Sequence, residues 1–287
     1  MSDRPVTLPE TANWVAFYRA LESERPDAIF KDPYARSLAG SRGEEIVREM
    51  PRGKSFGWPM VVRTAVMDDV ILRLAPELDG VLNLAAGLDA RPYRLPLPAG
   101  LRWYEVDYPE QLEYKTRVLG DAKAVCVLER IPLDLSDAAA RKNLFARVGA
   151  QCKSVLVISE GLLVYLKAEE VGALADDLSG QPSFHWWLTD LASPWVLKMI
   201  KRAWGKSLGS TAEFQFAPED ASAFFSPHGW RIVEYRSNIV EAQRLKREFR
   251  GAWFFRMIMP GWWRQESRRS DGPMAGVILL ENAKRTA

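Results

Sequence analysis

Two features of the chain, 20 residues apart, have the chemistry of a nucleoside-binding site. A turn of small residues at 85–87 ends one short apolar run, and Asp107 ends the next. Small residues let the backbone approach a ligand closely, and an acidic residue about 20 positions after such a turn typically accepts hydrogen bonds from ribose hydroxyls. Two simpler explanations stay open: a tight turn without a ligand, and a surface carboxylate that caps the helix beginning at Pro109.

The turn differs from the phosphate-binding fingerprint of dinucleotide enzymes. Its sequence is LAAGLDARP rather than G-x-G-x-x-G, and Pro92 and Pro96 interrupt the segment that would have to form the phosphate-binding helix. A nicotinamide-dependent oxidoreductase is therefore the weaker hypothesis for a nucleoside site here.

Few residues are available for metal or thiol chemistry. The chain has 2 histidines and 2 cysteines, and Cys126 and Cys152 form no C-x-x-C pair. A zinc site needs three or four clustered ligands, so we predict no metal site. His185 lies inside an apolar strand, which predicts a core histidine, and His228 lies in a Pro-His-Gly turn typical of the surface. The sequence thus offers few general bases.

Charge and hydropathy exclude several classes of protein. Lys and Arg number 39 against 37 Asp and Glu, which is too balanced to indicate nucleic-acid binding. The N-terminus has no signal-peptide pattern, and no segment reaches the ~20 apolar residues of a membrane span. We therefore expect a cytoplasmic protein without integral membrane contact.

Strand and helix patterns alternate from residue 80 onward. The apolar runs predict strands at 81–87, 102–109, 122–130, 154–161, 183–192, 230–237 and 275–283. The intervening segments carry helical spacing, with Pro or Ser at their starts and Gly at their ends. This order predicts an α/β fold with a Rossmann-like, mainly parallel sheet, and functional residues at the carboxyl ends of its strands.

The remaining segments suggest a cap and two insertions. Residues 1–79 are poor in strand patterns and form a predicted helical cap, in front of a core at 80–287. The predicted cap helices are 13–21, 32–40, 43–50 and 61–74. Two insertions in the C-terminal half, an irregular one at 193–215 and a second at 240–272, are expected to shape an acceptor pocket.

The segment from Arg244 to Arg269 is both basic and aromatic. Eight Arg or Lys residues against two Glu give it a local net charge of +6, and Trp and Phe residues, among them Trp253, Phe254, Phe255, Trp262 and Trp263, interleave with them. Three hypotheses stay open. The segment is a helical insertion packed on the cap, or a surface for an acidic carrier protein or an anionic membrane. In the third, Arg250 and Trp253 bind an anionic aromatic acceptor, together with Trp187 of the fifth strand. Eight of the 11 tryptophans follow residue 183, which indicates a large, flat, apolar acceptor.

Six motifs, in this order along the chain, carry a family resemblance. They are FKDPYARSLAG (30–40), RT with DD (63–64 and 68–69), LNLAAGLDARPYRL (82–95), YEVDYP (104–109), DL (134–135) and SEGLLVYL (159–166). Together they resemble the leucine carboxyl methyltransferase family of S-adenosylmethionine-dependent enzymes. Within that family the chain looks most like bacterial members that methylate small molecules such as polyketide carboxylates.

The resemblance implies a fold, a cofactor and the residues that hold it. The fold would be a helical cap on a seven-stranded methyltransferase sheet, mostly parallel with its last strand antiparallel, and the cofactor would be S-adenosyl-L-methionine. The implied cofactor contacts are Arg63 to the methionine carboxylate, Glu160 to its ammonium, Asp107 to the ribose, Asp134 to the adenine amine, and Ala85, Gly87 and Leu135 along the cofactor.

Within these motifs, Ala85 and Tyr165 each have two possible interpretations. The family usually has glycine where this chain has Ala85, which implies either an ordinary backbone dihedral there or weaker cofactor binding. Tyr165, just beyond the fourth strand, is the candidate catalytic residue, with a role in positioning the acceptor; the alternative is that it only packs.

These implications predict an O-methyltransferase that forms a methyl ester on a small anionic, apolar acceptor, such as an aromatic polyketide or another secondary metabolite. A carboxylate is ionised at neutral pH and needs no base, whereas a phenol, with a pKa of about 10, would benefit from one. The scarcity of bases therefore favours a carboxylate. Methylation of a phenol or hydroxyl, methylation of a protein C-terminal carboxylate, and a binding module without activity stay open as alternatives.

Overall fold

The computed structural model describes residues 6–50, 53, 57–204, 213–248 and 275–286 of the 287-residue chain. Within these residues seven strands form one sheet. The strands are β1 (Gly80–Leu84), β2 (Arg102–Asp107), β3 (Val127–Pro132), β4 (Val155–Ser159), β5 (Phe184–Leu191), β6 (Trp230–Ser237) and β7 (Gly276–Asn282). Their order across the sheet is β3-β2-β1-β4-β5-β7-β6.

The sheet is mixed because β7 runs antiparallel to its neighbours. β7 pairs antiparallel with both β5 and β6, whereas the pairs among β1 to β5 are all parallel. This confirms the predicted α/β fold with a mostly parallel sheet and an antiparallel last strand. The point where strand order reverses lies between β1 and β4, where such sheets bind ligands.

Helices surround the sheet on both faces. They are α1 (Leu8–Ser23), α2 (Ala35–Glu49), α3 (Trp58–Leu74), α4 (Arg91–Arg94), α5 (Pro109–Leu119), α6 (Ala138–Gln151), α7 (Ala168–Ser179), α8 (Pro194–Trp204), α9 (Ala221–Phe225) and α10 (Asn238–Arg244). None of the helices in the described ranges is long and apolar enough to cross a membrane.

Alternate residues of each strand supply two separate cores. Leu82 and Leu84 of β1 point to the face covered by α6 and α7, whereas Val81 points to the face covered by α3. Because both faces are covered, the central strands β1 and β4 are buried along their whole length and are mostly apolar. The third core lies between α1 and α2, around Trp14 and Leu38, and it also includes Leu88 and Ala90 from the segment after β1 and Leu119 from α5. These two helices form the cap, which packs onto the rest of the fold through this shared core.

The cap and the third strand differ from the sequence prediction in their boundaries. The predicted helices 32–40 and 43–50 both fall in α2, which begins at Ala35, and a kink at Gly40 separates them, because its φ of 58° and ψ of −169° are not helical. β3 begins at Val127 rather than at 122, since Val127 pairs with Arg102, where β2 itself begins.

The predicted irregular insertion at 193–215 is wrong for its first half, which forms α8. Ser193 precedes the helix, and its Oγ accepts a hydrogen bond from the N–H of Val196 at 3.3 Å. Pro194 occupies the first helical position, where its missing N–H costs nothing. A serine cap followed by proline is thus the sequence signal for this helix.

Candidate functional site

One cavity of about 1200 Å³ lies at the carboxyl ends of the strands, between the sheet and the cap. Its walls include residues that follow β1, β2, β3, β4 and β5, as expected for a parallel sheet. The lining contains every cofactor residue implied by the sequence, together with the candidate catalytic residue: Arg63, Ala85, Gly87, Asp107, Asp134, Leu135, Glu160 and Tyr165.

The small-residue turn after β1 is joined directly to Asp107. The N–H of Gly87 donates to Asp107 Oδ2 at 2.6 Å, and the N–H of Tyr108 donates to Oδ1 at 2.8 Å. Burial raises the pKa of Asp107, and these two hydrogen bonds oppose that shift. Asp107 is thus buried and holds the turn, rather than being an exposed cap of α5. A carboxylate has about four acceptor sites, so it keeps capacity for a diol.

Both Ala85 and Gly87 have left-handed backbone conformations, with φ of 50° and 48°. The first of the two explanations for Ala85, an ordinary dihedral, is therefore wrong. Ala85 retains the backbone geometry of a glycine position at a conformational cost, because an L-residue with a Cβ rarely adopts it.

The loop after β3 is fixed from two sides. Asp134 Oδ1 accepts a hydrogen bond from the N–H of Ser136 at 2.8 Å, so the carboxylate orders its own turn. Arg141 of α6 donates through Nη1 to the carbonyl oxygen of Leu135 at 2.7 Å and forms an ion pair with Asp177 of α7. Among the described residues Asp134 Oδ2 has no hydrogen-bond donor, which leaves it for a ligand.

A cluster of buried charges surrounds Glu160, at the end of β4. Arg63 Nε lies 3.0 Å from Glu160 Oε1, and Arg91 Nη1 lies 2.7 Å from Oε2. Burial raises the pKa of Glu160, but the charges of Arg91 and Arg63 outweigh it and hold the pKa at about 2. Glu160 therefore stays ionised, which suits a partner for a cationic group.

Asp190, in β5, completes this cluster and was not predicted from the sequence. Its Oδ2 accepts a hydrogen bond from Arg63 Nη1 at 2.9 Å, and its Oδ1 accepts one from the N–H of Gly161 at 2.6 Å. Arg63 thus binds two carboxylates of the chain. Its Nη2 has no acceptor within the described residues and can bind the carboxylate of a ligand.

A chain of ion pairs leads from Glu160 into the cap. The pairs are Arg91 with Asp68 at 2.7 Å, Arg94 with Asp68 at 2.7 Å, Arg94 with Asp32 at 3.6 Å, and Arg19 with Asp32 at 2.9 Å. Arg91 also binds Asp89, at 3.0 Å. Most of these residues lie within the family motifs, where they had no assigned role.

The rest of the cavity is apolar. Tyr165 lies at its border with the charged cluster, and burial raises the pKa of its hydroxyl to about 12, although a hydrogen bond with Thr11 and the charge of Arg63 oppose the shift. Its ring packs 5.3 Å from that of Phe214. The apolar walls come from α1, from the start of α3, from the segment after β4, from α8, from the segment before α9 and from α10: Leu8, Val15, Trp58, Met60, Leu162, Val164, Trp195, Met199, Ile200, Phe214 and Ile239.

The structure corrects the predicted acceptor contact at Trp187. This side chain is fully buried in the core between β5 and α9, where its ring packs against Phe225 and its Nε1 donates to Ser159 Oγ at 2.8 Å. Trp230 is buried beside it, so part of the tryptophan excess serves the core. Arg250 and Trp253 lie outside the described residues.

The two histidines lie away from the cavity. His185 is half-buried in β5, and its Nδ1 lies 2.9 Å from Ser154 Oγ. His228 lies in a short turn before β6, and its Nδ1 is 3.0 Å from Asp176 Oδ1. Within the described residues no three His, Cys, Asp or Glu side chains form a group that could hold a metal ion.

The side chains of the cavity fit the functional groups of S-adenosylmethionine. Two carboxylates, Glu160 and Asp190, suit the ammonium, and Arg63 suits the carboxylate of the amino-acid end. Asp107 suits the ribose diol, and the free oxygen of Asp134 suits the adenine amine. These residues would hold the cofactor at the carboxyl ends of β1 to β5.

Comparisons with known proteins agree with this fit. A sequence model described as leucine carboxyl methyltransferase matches residues 12–179. A candidate S-adenosyl-L-methionine-dependent methyltransferase of Streptomyces coelicolor is 34% identical over 243 residues, which cover 79% of this chain and 84% of that protein. Another, of Mycolicibacterium smegmatis, is 35% identical over 255 residues with the same two coverages.

Among solved structures, a candidate methyltransferase of Thermobifida fusca has the same fold. It superposes with a TM-score of 0.58 at 14% identity, over 98% of this chain and 96% of that one. A DUF574 family protein of Streptomyces avermitilis gives a TM-score of 0.55 at 13% identity, over 95% and 97% of the two chains. The chain therefore belongs to the leucine carboxyl methyltransferase family of S-adenosyl-L-methionine-dependent methyltransferases.

Proposed function

We propose that the protein is an O-methyltransferase that forms a methyl ester on the carboxylate of a small apolar acid. The observation that carries this proposal is the ionisation state of the groups at the border between the charged and apolar parts of the cavity. An acceptor that must lose a proton needs a base there, whereas a carboxylate arrives ionised.

Tyr165 and Glu160, two of the ionisable groups at that border, cannot act as bases at neutral pH, and the third, Asp190, is held in an ion pair with Arg63. The hydroxyl of Tyr165, with its pKa raised to about 12 by burial, stays protonated and is a hydrogen-bond donor. Glu160 is ionised, but each of its oxygens binds a guanidinium, and a pKa of about 2 makes it too weak a base to deprotonate a phenol. These states favour an acceptor that carries its negative charge on entry.

The chain contributes binding, orientation and the exclusion of water. S-adenosylmethionine supplies a methyl group activated by attachment to a sulfonium. Arg63, Glu160, Asp107 and Asp134 would fix the cofactor at the strand ends, and Tyr165 would donate a hydrogen bond to the acceptor. Apolar walls strip water from a carboxylate, which increases its reactivity, and a fixed geometry removes most of the entropic cost of the encounter.

The size of the cavity supports an acceptor of substantial size. At about 1200 Å³ it exceeds the ~300–1000 Å³ of pockets that hold one drug-sized ligand, so the cofactor leaves room for a second molecule. That remaining space is bordered by Trp195, Met199 and Phe214. An acid with an extended apolar body matches these walls.

The experiment is to incubate the enzyme with methyl-labelled S-adenosylmethionine and matched pairs of apolar acids and phenols. We expect labelled products that mild alkali hydrolyses to labelled methanol, as methyl esters do. We also expect a rate that stays level from about pH 6 to pH 9, because the acceptor is ionised throughout. Alkali-stable ethers as the only products, with a rate that climbs toward pH 10, would contradict the proposal.

A further inference from the structure

We propose that Asp190 is a positioning residue of the cofactor site, specific for the amino-acid end of S-adenosylmethionine. Asp190 lies in β5, one residue beyond the pair Ser159 and Thr189 that closes the β4–β5 ladder. It is therefore beside Glu160 at the same edge of the sheet. It lines the cavity without belonging to any motif of the family resemblance.

The first argument is the geometry of the turn that carries Glu160. Asp190 Oδ1 accepts a hydrogen bond from the N–H of Gly161 at 2.6 Å. Gly161 has a φ of 65°, and a Cβ placed on it would lie 3.3 Å from Arg63 Nη1. The turn after β4 thus depends on a glycine, packs closely against Arg63, and is anchored by Asp190 through its backbone.

The second argument is charge. Arg63 lies between two carboxylates, with Nε 3.0 Å from Glu160 and Nη1 2.9 Å from Asp190. Glu160 has a second guanidinium partner, Arg91, whereas within the described residues Arg63 is the sole ion-pair partner of Asp190. The connected ion pairs contain four guanidiniums against five carboxylates, a formal net charge of −1: Arg19, Arg63, Arg91 and Arg94 against Asp32, Asp68, Asp89, Glu160 and Asp190. Such a site favours a ligand that brings a cation, and an ammonium group is that cation.

Asp190 therefore acts on the ligand in two ways. It holds Arg63 and the Glu160 turn at the spacing of an amino-acid group, and it supplies the charge that balances an ammonium. Neither effect reaches the adenosine end, which is held by the Asp107 turn and the Asp134 loop. Loss of the Asp190 charge should therefore weaken the binding of ligands that carry the amino-acid group. It should leave the binding of ligands that lack this group nearly unchanged.

The test compares two ligands that share adenosine and differ in that group. S-adenosylhomocysteine carries the amino-acid group, and 5′-methylthioadenosine lacks it. Calorimetry on the full chain gives both dissociation constants without any methyl acceptor, so the result does not depend on the identity of the acceptor. For Asp190→Asn we expect S-adenosylhomocysteine to bind about tenfold or more weakly, the scale of one charge-assisted hydrogen bond, with 5′-methylthioadenosine within about twofold of wild type.

Asp177→Asn is the matched control, because Asp177 holds Arg141 and hence the carbonyl of Leu135 in the loop after β3. The Asp177→Asn variant should bind both ligands more weakly, and to the same extent. Asp190→Glu, which keeps the charge, should recover part of the affinity for S-adenosylhomocysteine. Equal losses for both ligands in Asp190→Asn, or no loss for S-adenosylhomocysteine, would overturn the proposal. If Asp190→Asn fails to fold, both dissociation constants are measured for Asp190→Glu instead. The ratio of the S-adenosylhomocysteine constant to the 5′-methylthioadenosine constant, compared with wild type, then decides.

Discussion

Replacing Ala85 with glycine should stabilise the protein, although the substitution removes a side chain. Ala85 has a φ of 50°, in the left-handed region. That conformation costs a residue with a Cβ about 1–2 kcal/mol, whereas glycine adopts it freely. Glycine in turn increases the entropy of the unfolded chain, which costs about 0.4–1 kcal/mol. With the middle of each range, the difference is a gain of about 0.8 kcal/mol in the free energy of unfolding.

The neighbouring turn residue provides the opposite substitution. Gly87 has a φ of 48°, and a Cβ placed on it would lie 3.3 Å from the Cβ of Ala12 in α1. Gly87→Ala therefore adds backbone strain and a close contact, and we expect it to lower the free energy of unfolding by about 1 kcal/mol or more. The pair of variants tests the same physical effect in both directions.

Urea unfolding followed by tryptophan fluorescence measures both changes as shifts in the midpoint at constant slope. For Ala85→Gly the thermal midpoint should rise by about 1–4 °C, given about 2–4 °C per kcal/mol for proteins of this size. Because Ala85 already has the backbone geometry of glycine, affinity for S-adenosylhomocysteine should stay within about twofold, the scale of a few tenths of a kcal/mol. If Ala85→Gly is no more stable than wild type, the reasoning from the dihedral is refuted.

Three further predictions concern the cavity. Glu160 has a pKa lowered from 4.5 to about 2, so its contribution to stability is present above pH 4.5 and is lost as the pH falls toward 2. The free energy of unfolding, measured with urea across that range, should fall less steeply for Glu160→Gln than for wild type. Tyr165→Phe should lower kcat/KM by about 2–10-fold, the scale of one neutral hydrogen bond, without changing the shape of the pH–rate profile; a lost alkaline limb would instead identify Tyr165 as a base. Trp195 is 57% exposed at the cavity wall, so Trp195→Ala should raise the KM of the acceptor by about fivefold and leave the affinity for S-adenosylhomocysteine unchanged. If the acceptor and S-adenosylhomocysteine are affected equally, Trp195 does not contact the acceptor alone.

The sheet and the strand-end residues of the site could be predicted from the sequence for physical reasons. A strand covered on both faces is apolar along its whole length, so runs such as the one ending at Leu84 are recognisable. Parallel strands end at one edge, so Asp107, Asp134 and Glu160, each at or just after a strand, had to lie near one another. The cavity lining bears out this placement.

The partners of those residues could not be predicted. Arg63 binds Glu160 and Asp190, which are 97 and 127 positions away along the chain, and no local pattern encodes such pairs. Trp187 was assigned to the acceptor wall by residue type alone, and an aromatic side chain has the same type in a core as in a pocket. Only the alternation of side chains along β5, together with its two neighbouring strands, decides that Trp187 lies inside.

The ion pairs that run from Glu160 through Arg91, Asp68 and Arg94 to Asp32 make folding and ligand binding a single linked equilibrium. The far end of that chain is Arg19 in α1, so a series of ion pairs connects the first cap helix to the ligand pocket. A ligand that binds only when these pairs are formed must stabilise the cap as well as the sheet, by about 2.7 kcal/mol at a hundredfold excess over its dissociation constant. The abundance of the intact protein in a cell would then follow the supply of its own methyl donor.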